Sequence, residues 1–270
     1  MTYAAYEDST DDGSPVELYL FKRGPFAWRF ASGTTDVTYL GDKYEASPIK
    51  RTRIAQTSDI FKDSVKISFP RTNLFAFAYV NNAPEDVTSV TVFRGHRDDP
   101  DQEFSIYWKG RIANGNSNGN TIEVECSSVF TSIRRPGLRA KYEYGCRHGL
   151  YSPRCGANKG LFSAIGEVLS INASATVIQL TNIGLQPNGY YSAGIFALAN
   201  GNTRFIVGHT GSSVTLNLPL NGIVLGEIAT VYAGCDHLKA TCDTKFGNSA
   251  NFGGFPFIPV KNPFSGGSIA

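Results

Sequence analysis

Along the first half of the chain, apolar residues recur at every second position rather than at the three-to-four spacing of a helix. Residues 16–22, 37–45, 64–69, 87–93 and 104–112 are short, rich in β-branched and aromatic side chains, and several alternate apolar with polar. In residues 120–130, Ile122, Val124 and Cys126 fall on one face and Thr121, Glu123 and Glu125 on the other. The stretch 114–120 is turn material, so 104–112 and 120–126 are predicted to form a hairpin. About eight strands are expected up to residue 135, and hence a β barrel or sandwich. Cys126 is predicted to be a small buried core residue of that domain.

A second set of strand-like runs occupies 162–232: residues 174–180, 190–199, 203–209, 213–218 and 226–232. Asn200-Gly201 predicts a type I′ hairpin within it. After residue 245 the periodicity ends, yet five phenylalanines follow in twenty residues. Pro256, Pro259 and Pro263 disfavour helix, so residues 251–264 are expected to run extended. Gly253 and Gly254 are expected to allow a change of direction. Phe252, Phe255, Phe257 and Phe264 would serve as anchors on this subunit or a neighbour. The fold class that follows is mainly β, in three parts. These are an amino-terminal β domain (1–135), a cysteine-framed domain (136–245) with an inserted β unit (162–232), and an extended arm (246–270).

Composition agrees with this reading. Twenty-eight glycines, thirteen prolines and one methionine suit many short strands better than long helices. A net charge of +2 gives no ground for a nucleic-acid groove. No apolar run reaches the roughly twenty residues of a membrane helix. Acidic residues crowd the first thirteen positions, where a secretion signal would be basic, so a reducing cytoplasm is expected.

That expectation changes the meaning of the five cysteines. Two segments, 145–155 and 234–242, both open Gly-Cys-x-His and reach a second cysteine after eight and six residues. Cys146, Cys155, Cys235 and Cys242 are therefore candidate ligands of one site, with the β insertion as a spacer whose ends lie close together. Disulfides conflict with the expected compartment. A structural zinc needs thiolates close around one ion, with Zn–S bonds of about 2.3 Å and usually two to four residues between paired ligands. An iron–sulfur cluster is wider and tolerates wider spacing, which favours it, although spacing alone leaves both open. His148 and His237 are either donors or alternative ligands at this site, or two partly exposed loop histidines. Four cysteines already complete a site, which favours the second reading.

The chain has four histidines, His96, His148, His209 and His237, but no nucleophile elbow, HExxH or phosphate loop. No enzyme is expected. The alternatives from the residues are a cytosolic iron–sulfur electron-transfer protein and a zinc-binding protein.

The paired Cys-x8-Cys and Cys-x6-Cys resemble the carboxy-terminal domain of the tail tip (L) proteins of lambda-like phages. The closing string, with Cys235, Asp236, Cys242, Phe246, Asn248, Asn251 and the run 252–256, is similar to the end of the hub proteins of gene transfer agents and long-tailed phages. Arg147 departs from the pattern, where an acidic residue is common. The resemblance covers about 140–260 and is looser before 135. It implies a virion protein of the tail tip, assembled in the host cytoplasm and trimeric by family habit, holding a 4Fe-4S cluster on Cys146, Cys155, Cys235 and Cys242, with zinc as the alternative. The implied partners are two further copies, a distal tail protein, a tape measure protein and a central receptor-binding fibre.

Overall fold

The computed structural model describes residues 3–9, 11, 13–54, 64–80, 84–134, 137, 140–220 and 222–258. The chain divides into two compact units, Met1–Arg135 and Pro136–Ala270.

The first unit is built on β1 (Pro15–Arg23), β2 (Phe26–Ser32), β3 (Val37–Tyr39), β4 (Asp42–Ser47), β5 (Lys50–Arg51), β6 (Ser64–Pro70), β7 (Ser89–His96), β8 (Ser105–Asn118) and β9 (Thr121–Ser128). They join in one sheet of order β3-β4-β2-β1-β7-β8-β9-β6-β5, antiparallel except where β2 meets β4. The expected barrel or sandwich is thus replaced, among the described residues, by one open and strongly curled sheet. The reason lies in β1, which is apolar on both faces. Val16 and Leu18 enter one cluster with Ala31, Val37 and Tyr44, while Tyr19 and Phe21 enter another with Val65, Ile67, Ile122 and Val124. Curling brings Phe21 and Phe30 against Phe69, with ring centroids 5.8 and 5.7 Å apart. Cys126 is fully buried in that larger cluster, as its place in the alternation predicts.

Two local expectations change. Residues 37–45 are not one run but a hairpin, because Leu40 and Gly41 both take positive φ and reverse the chain. The strand β8 continues through Asn118 by way of an irregularity at Ile112/Asn114, so the turn narrows to Gly119-Asn120.

In the second unit, β10 (Ser163–Ile171), β11 (Val177–Leu180), β12 (Ile195–Leu198), β13 (Thr203–Thr210), β14 (Ser213–Leu216) and β15 (Ile228–Tyr232) close into a barrel of order β10-β11-β14-β13-β12-β15. Its interior is filled by Ile178, Leu180, Phe196, Ile206, Val214 and Val231, all fully buried. The β12–β13 hairpin forms where Asn200-Gly201 predicted one, but only Gly201 takes positive φ, so the turn is not type I′. Closure pairs the first strand with the last, Ser163 opposite Tyr232, and Ala233 N donates to Phe162 O at 2.8 Å. The insertion therefore returns the chain to its starting point. Among the described residues no helix is long and apolar enough to cross a membrane.

Candidate metal centre

Three segments of the second unit meet beside the barrel. The first, 144–156, is a series of turns. Tyr151 adopts a positive φ there, and its hydroxyl donates to Ala233 O at 2.6 Å, which ties the segment to the end of β15. Cys155 N donates to Ser152 Oγ at 3.3 Å, inside a turn that Gly156 closes with φ +69°.

The second segment follows β15. Gly234 is wedged so tightly that a Cβ would lie 1.7 Å from Ser192 O. Cys235 comes next, then His237 with φ +63°, and then α1 (Lys239–Thr244), which carries Cys242. A straight helix over 235–242 would place its two cysteines about 10.5 Å apart along the axis. The left-handed residue at His237 prevents that and folds Cys235 back toward Cys242. Asp236 braces the bend by accepting from Leu238 N at 2.9 Å and Thr241 Oγ1 at 2.8 Å.

The third segment, 248–258, packs back across the other two. It is not extended as expected. Ser249–Asn251 forms a 3-10 turn, and Ile258 N donates to Phe255 O at 3.2 Å, closing a turn on Pro256. Gly253 and Gly254 do not take positive φ. They are glycines for lack of room, since a Cβ at Gly253 would meet the His148 ring at 2.6 Å and one at Gly254 would meet Tyr144 O and Gly145 O at 2.6 Å. Phe255 N donates to Glu143 O at 2.9 Å, and the Phe255 ring lies 4.1 Å from that of Tyr142. Pro259, Pro263 and Phe264 lie outside the described residues.

Cys146, Cys155, Cys235 and Cys242 all line the pocket these segments enclose, about 350 Å³ of atom-free space counting its open side. Three of the four sulfurs face N–H groups. Cys146 Sγ accepts from Gly253 N at 3.3 Å, Cys235 Sγ accepts from His237 N at 3.3 Å, and Cys155 Sγ lies 3.8 Å from Asn248 Nδ2. The fourth, Cys242, donates its S–H to Asn248 O at 3.3 Å.

Electrostatics show the same convergence. Burial pushes the Cys235 thiol up, opposed by the His237 N–H and reinforced by Asp236, Cys146 and Cys155. Burial, then Cys235, Cys146 and Cys155, pushes Cys242 up. Thiolates lining one pocket would repel one another, and a cation among them would relieve that repulsion. One basic side chain stands close by. Lys245 donates to Gly234 O at 2.7 Å and to Tyr190 O, and burial holds its ammonium below the usual lysine range while Cys235 and Asp236 pull it up.

The histidines serve neither as mere surface residues nor as contacts to sulfur through their rings. His237 Nδ1 donates to Cys146 O at 2.9 Å while Cys146 N donates to His237 O at 2.8 Å, a reciprocal tie between the two Gly-Cys-x-His turns. His148 Nδ1 donates to Asn251 O at 3.1 Å and holds the third segment. His96 belongs to the first unit, and His209 is buried in the barrel against Tyr191. Lys245 carried no sequence signal at all, and Asn248 only its place in the closing string.

No three His, Cys, Asp or Glu side chains among the described residues are gathered tightly enough for a single ion. Tetrahedral zinc with bonds of about 2.3 Å would need its sulfurs about 3.8 Å apart.

Residues 25–158 match the family model of a baseplate hub protein, N-terminal attachment domain, and residues 189–262 match that of a phage conserved hypothetical protein, BR0599. An uncharacterised protein of Xylella fastidiosa (strain 9a5c) is 27% identical over 190 residues, 65% of this chain and 39% of that protein. The chain thus spans well under half of that relative. A chain from the virion of a native gene transfer agent particle shares the fold at TM-score 0.76, with 18% identity, over 99% of this chain and 97% of that one.

Proposed function

We propose that the chain is a hub subunit of a phage-type tail tip, a structural component of the virion assembled in the host. The match of residues 25–158 to a hub attachment domain carries this reading. The full-length fold shared with a gene transfer agent virion chain supports it. Three copies around the tail axis suit the role, because closed rings of β subunits are a natural junction between a tube and a central fibre. The neighbours in that ring are a distal tail protein, a tape measure protein and a receptor-binding fibre.

Within the subunit, Cys146, Cys155, Cys235 and Cys242 hold a 4Fe-4S cluster. The observation that carries this is four cysteines, two from each of two segments far apart in sequence, lining one pocket. The N–H groups that face three of the sulfurs fit metal-bound thiolates. A bound cluster supplies four iron–thiolate bonds that cross-link the turns, as a structural metal contributes folding free energy. The chain's own part is orientation: His237 fixes the two cysteine turns against each other and Lys245 brings positive charge to their base.

Anaerobically purified protein should be brown and carry iron and acid-labile sulfide in equal amounts. Zinc without sulfide would overturn the cofactor. Intact tail tips should contain three copies per particle by mass measurement, and six copies or one would overturn the stoichiometry.

A further inference from the structure

We propose that the segment 248–258 is a strap whose seating reports whether the four sulfurs hold metal. This rests on the cofactor reading above and adds its consequence for the polypeptide.

Three of the four sulfurs touch the strap. Gly253 N–H points at Cys146 Sγ, the Asn248 carboxamide at Cys155 Sγ, and Cys242 S–H at Asn248 O. A free thiol is a weak acceptor and a weak donor, whereas a metal-bound thiolate is a negatively charged acceptor with no proton. Loading the site therefore strengthens the bonds from Gly253 and Asn248 and removes the one from Cys242. Asn248 O is not orphaned by that loss, because Asn251 N also donates to it at 3.1 Å. The balance moves toward a strap held down on the sulfurs.

The strap is stiff enough to carry this change outward. Asn251 O is fixed by His148, Gly254 rests on the carbonyls of Tyr144 and Gly145, and Phe255 N is bonded to Glu143 O. At the far end stands Phe257, 89% exposed, with Lys239 Nζ 5.3 Å from its ring centroid. Occupancy of the site thus sets how firmly an exposed aromatic residue is presented to whatever the subunit meets next.

Hydrogen exchange read by mass spectrometry tests this on the full chain loaded with iron and sulfide, against the same chain stripped by a chelator and kept reduced. The amides of Gly253 and Phe255 should exchange at least about tenfold more slowly when loaded, the effect of turning the bond from Gly253 to Cys146 Sγ into a charge-assisted one. Gly254→Ala, whose methyl cannot clear the two carbonyls, should abolish that protection while leaving iron per chain within about twofold, since all four cysteines precede it. Equal exchange in a chain shown to carry iron and sulfide would sink the strap and leave the cofactor standing. So would wild-type protection in Gly254→Ala. A Gly254→Ala chain that loses iron as fully as Cys146→Ser would also refute the proposal, by making the strap part of the grip rather than its reporter. A chain that takes up neither iron nor sulfide overturns the cofactor reading and the strap with it.

Discussion

Replacing Asn248 by Ala removes the side chain that joins the strap to the first cysteine segment. Its Nδ2 donates to Cys155 O at 2.6 Å and its Oδ1 accepts from Asn251 Nδ2 at 2.7 Å. The Asn251 side is exposed, so water replaces that bond at little cost. The Cys155 side is half-buried. Losing the bond there costs about 1 kcal/mol net, and leaving the carbonyl poorly solvated adds about 1 kcal/mol more. For a unit of this size each kcal/mol moves the midpoint by about 4 °C, so the second unit should melt about 8 °C lower. Both tryptophans, Trp28 and Trp108, lie in the first unit, so their fluorescence follows that unit alone. Calorimetry read beside tryptophan fluorescence then assigns the transitions. Asn248→Ala should shift only the one that fluorescence does not see. A shift below about 2 °C, or one that moves the tryptophan transition, would refute the reasoning.

Cys146→Ser, Cys155→Ser, Cys235→Ser and Cys242→Ser should each lower bound iron at least about tenfold by metal analysis. Cys126→Ser should keep the iron and cost the first unit about 1–3 kcal/mol in denaturant titration, because it buries a hydroxyl in an apolar core. Gly234→Ala should destabilise the second unit by more than about 3 kcal/mol in calorimetry, since its methyl would overlap Ser192 O. Lys245→Met should cost about 1–2 kcal/mol, measured in the same way, because Gly234 O loses its ammonium donor while Tyr190 O keeps its bond from Gly234 N at 3.2 Å. Burial pushes the Tyr19 and Tyr79 phenols of the first unit above the usual 10.0. Protons thus leave the unfolded chain first, and the stability these groups contribute is present below pH 10 and lost as pH rises beyond it. Denaturant midpoints followed by tryptophan fluorescence from pH 8 to 11.5 should fall above pH 10, and Tyr19→Phe should flatten the fall.

Strand positions were readable because a half-buried strand writes its burial into the chain at period two, as in Ile122, Val124 and Cys126. The topology of the first unit was not. Whether nine strands close or stay open depends on how far the sheet curls over Phe21, Phe30 and Phe69, and no local pattern records that. Convergence of the four cysteines was legible from the repeated Gly-Cys-x-His. The parts that shape their surroundings were hidden for a different reason. Gly253 acts through its backbone N–H and Lys245 through contacts to backbone carbonyls of residues distant in sequence, and such contacts leave no periodic trace. The glycines were legible only in part. Gly253 and Gly254 were expected to turn the chain, and Gly254 does sit at a bend, but no pattern showed that a Cβ at Gly253 would strike the His148 ring and one at Gly254 the carbonyls of Tyr144 and Gly145.

The pairing of β10 with β15 alters the entropy of closing the site. Cys155 and Cys235 lie eighty positions apart in the sequence. Left unfolded, the chain between them would have to be closed as one long loop whenever metal is taken up. With the barrel already folded, Phe162 and Ala233 are bonded to each other, and only about ten flexible links separate the two thiols. Closure entropy scales as three halves of RT times the logarithm of loop length, so this shortcut saves about 1.8 kcal/mol. The length of the insertion itself drops out of the expression. A barrel with longer loops, or a different module with equally close ends, would close the same four-cysteine frame at the same entropic cost, which leaves its outer surface free to diverge without disturbing the pocket the cysteines line.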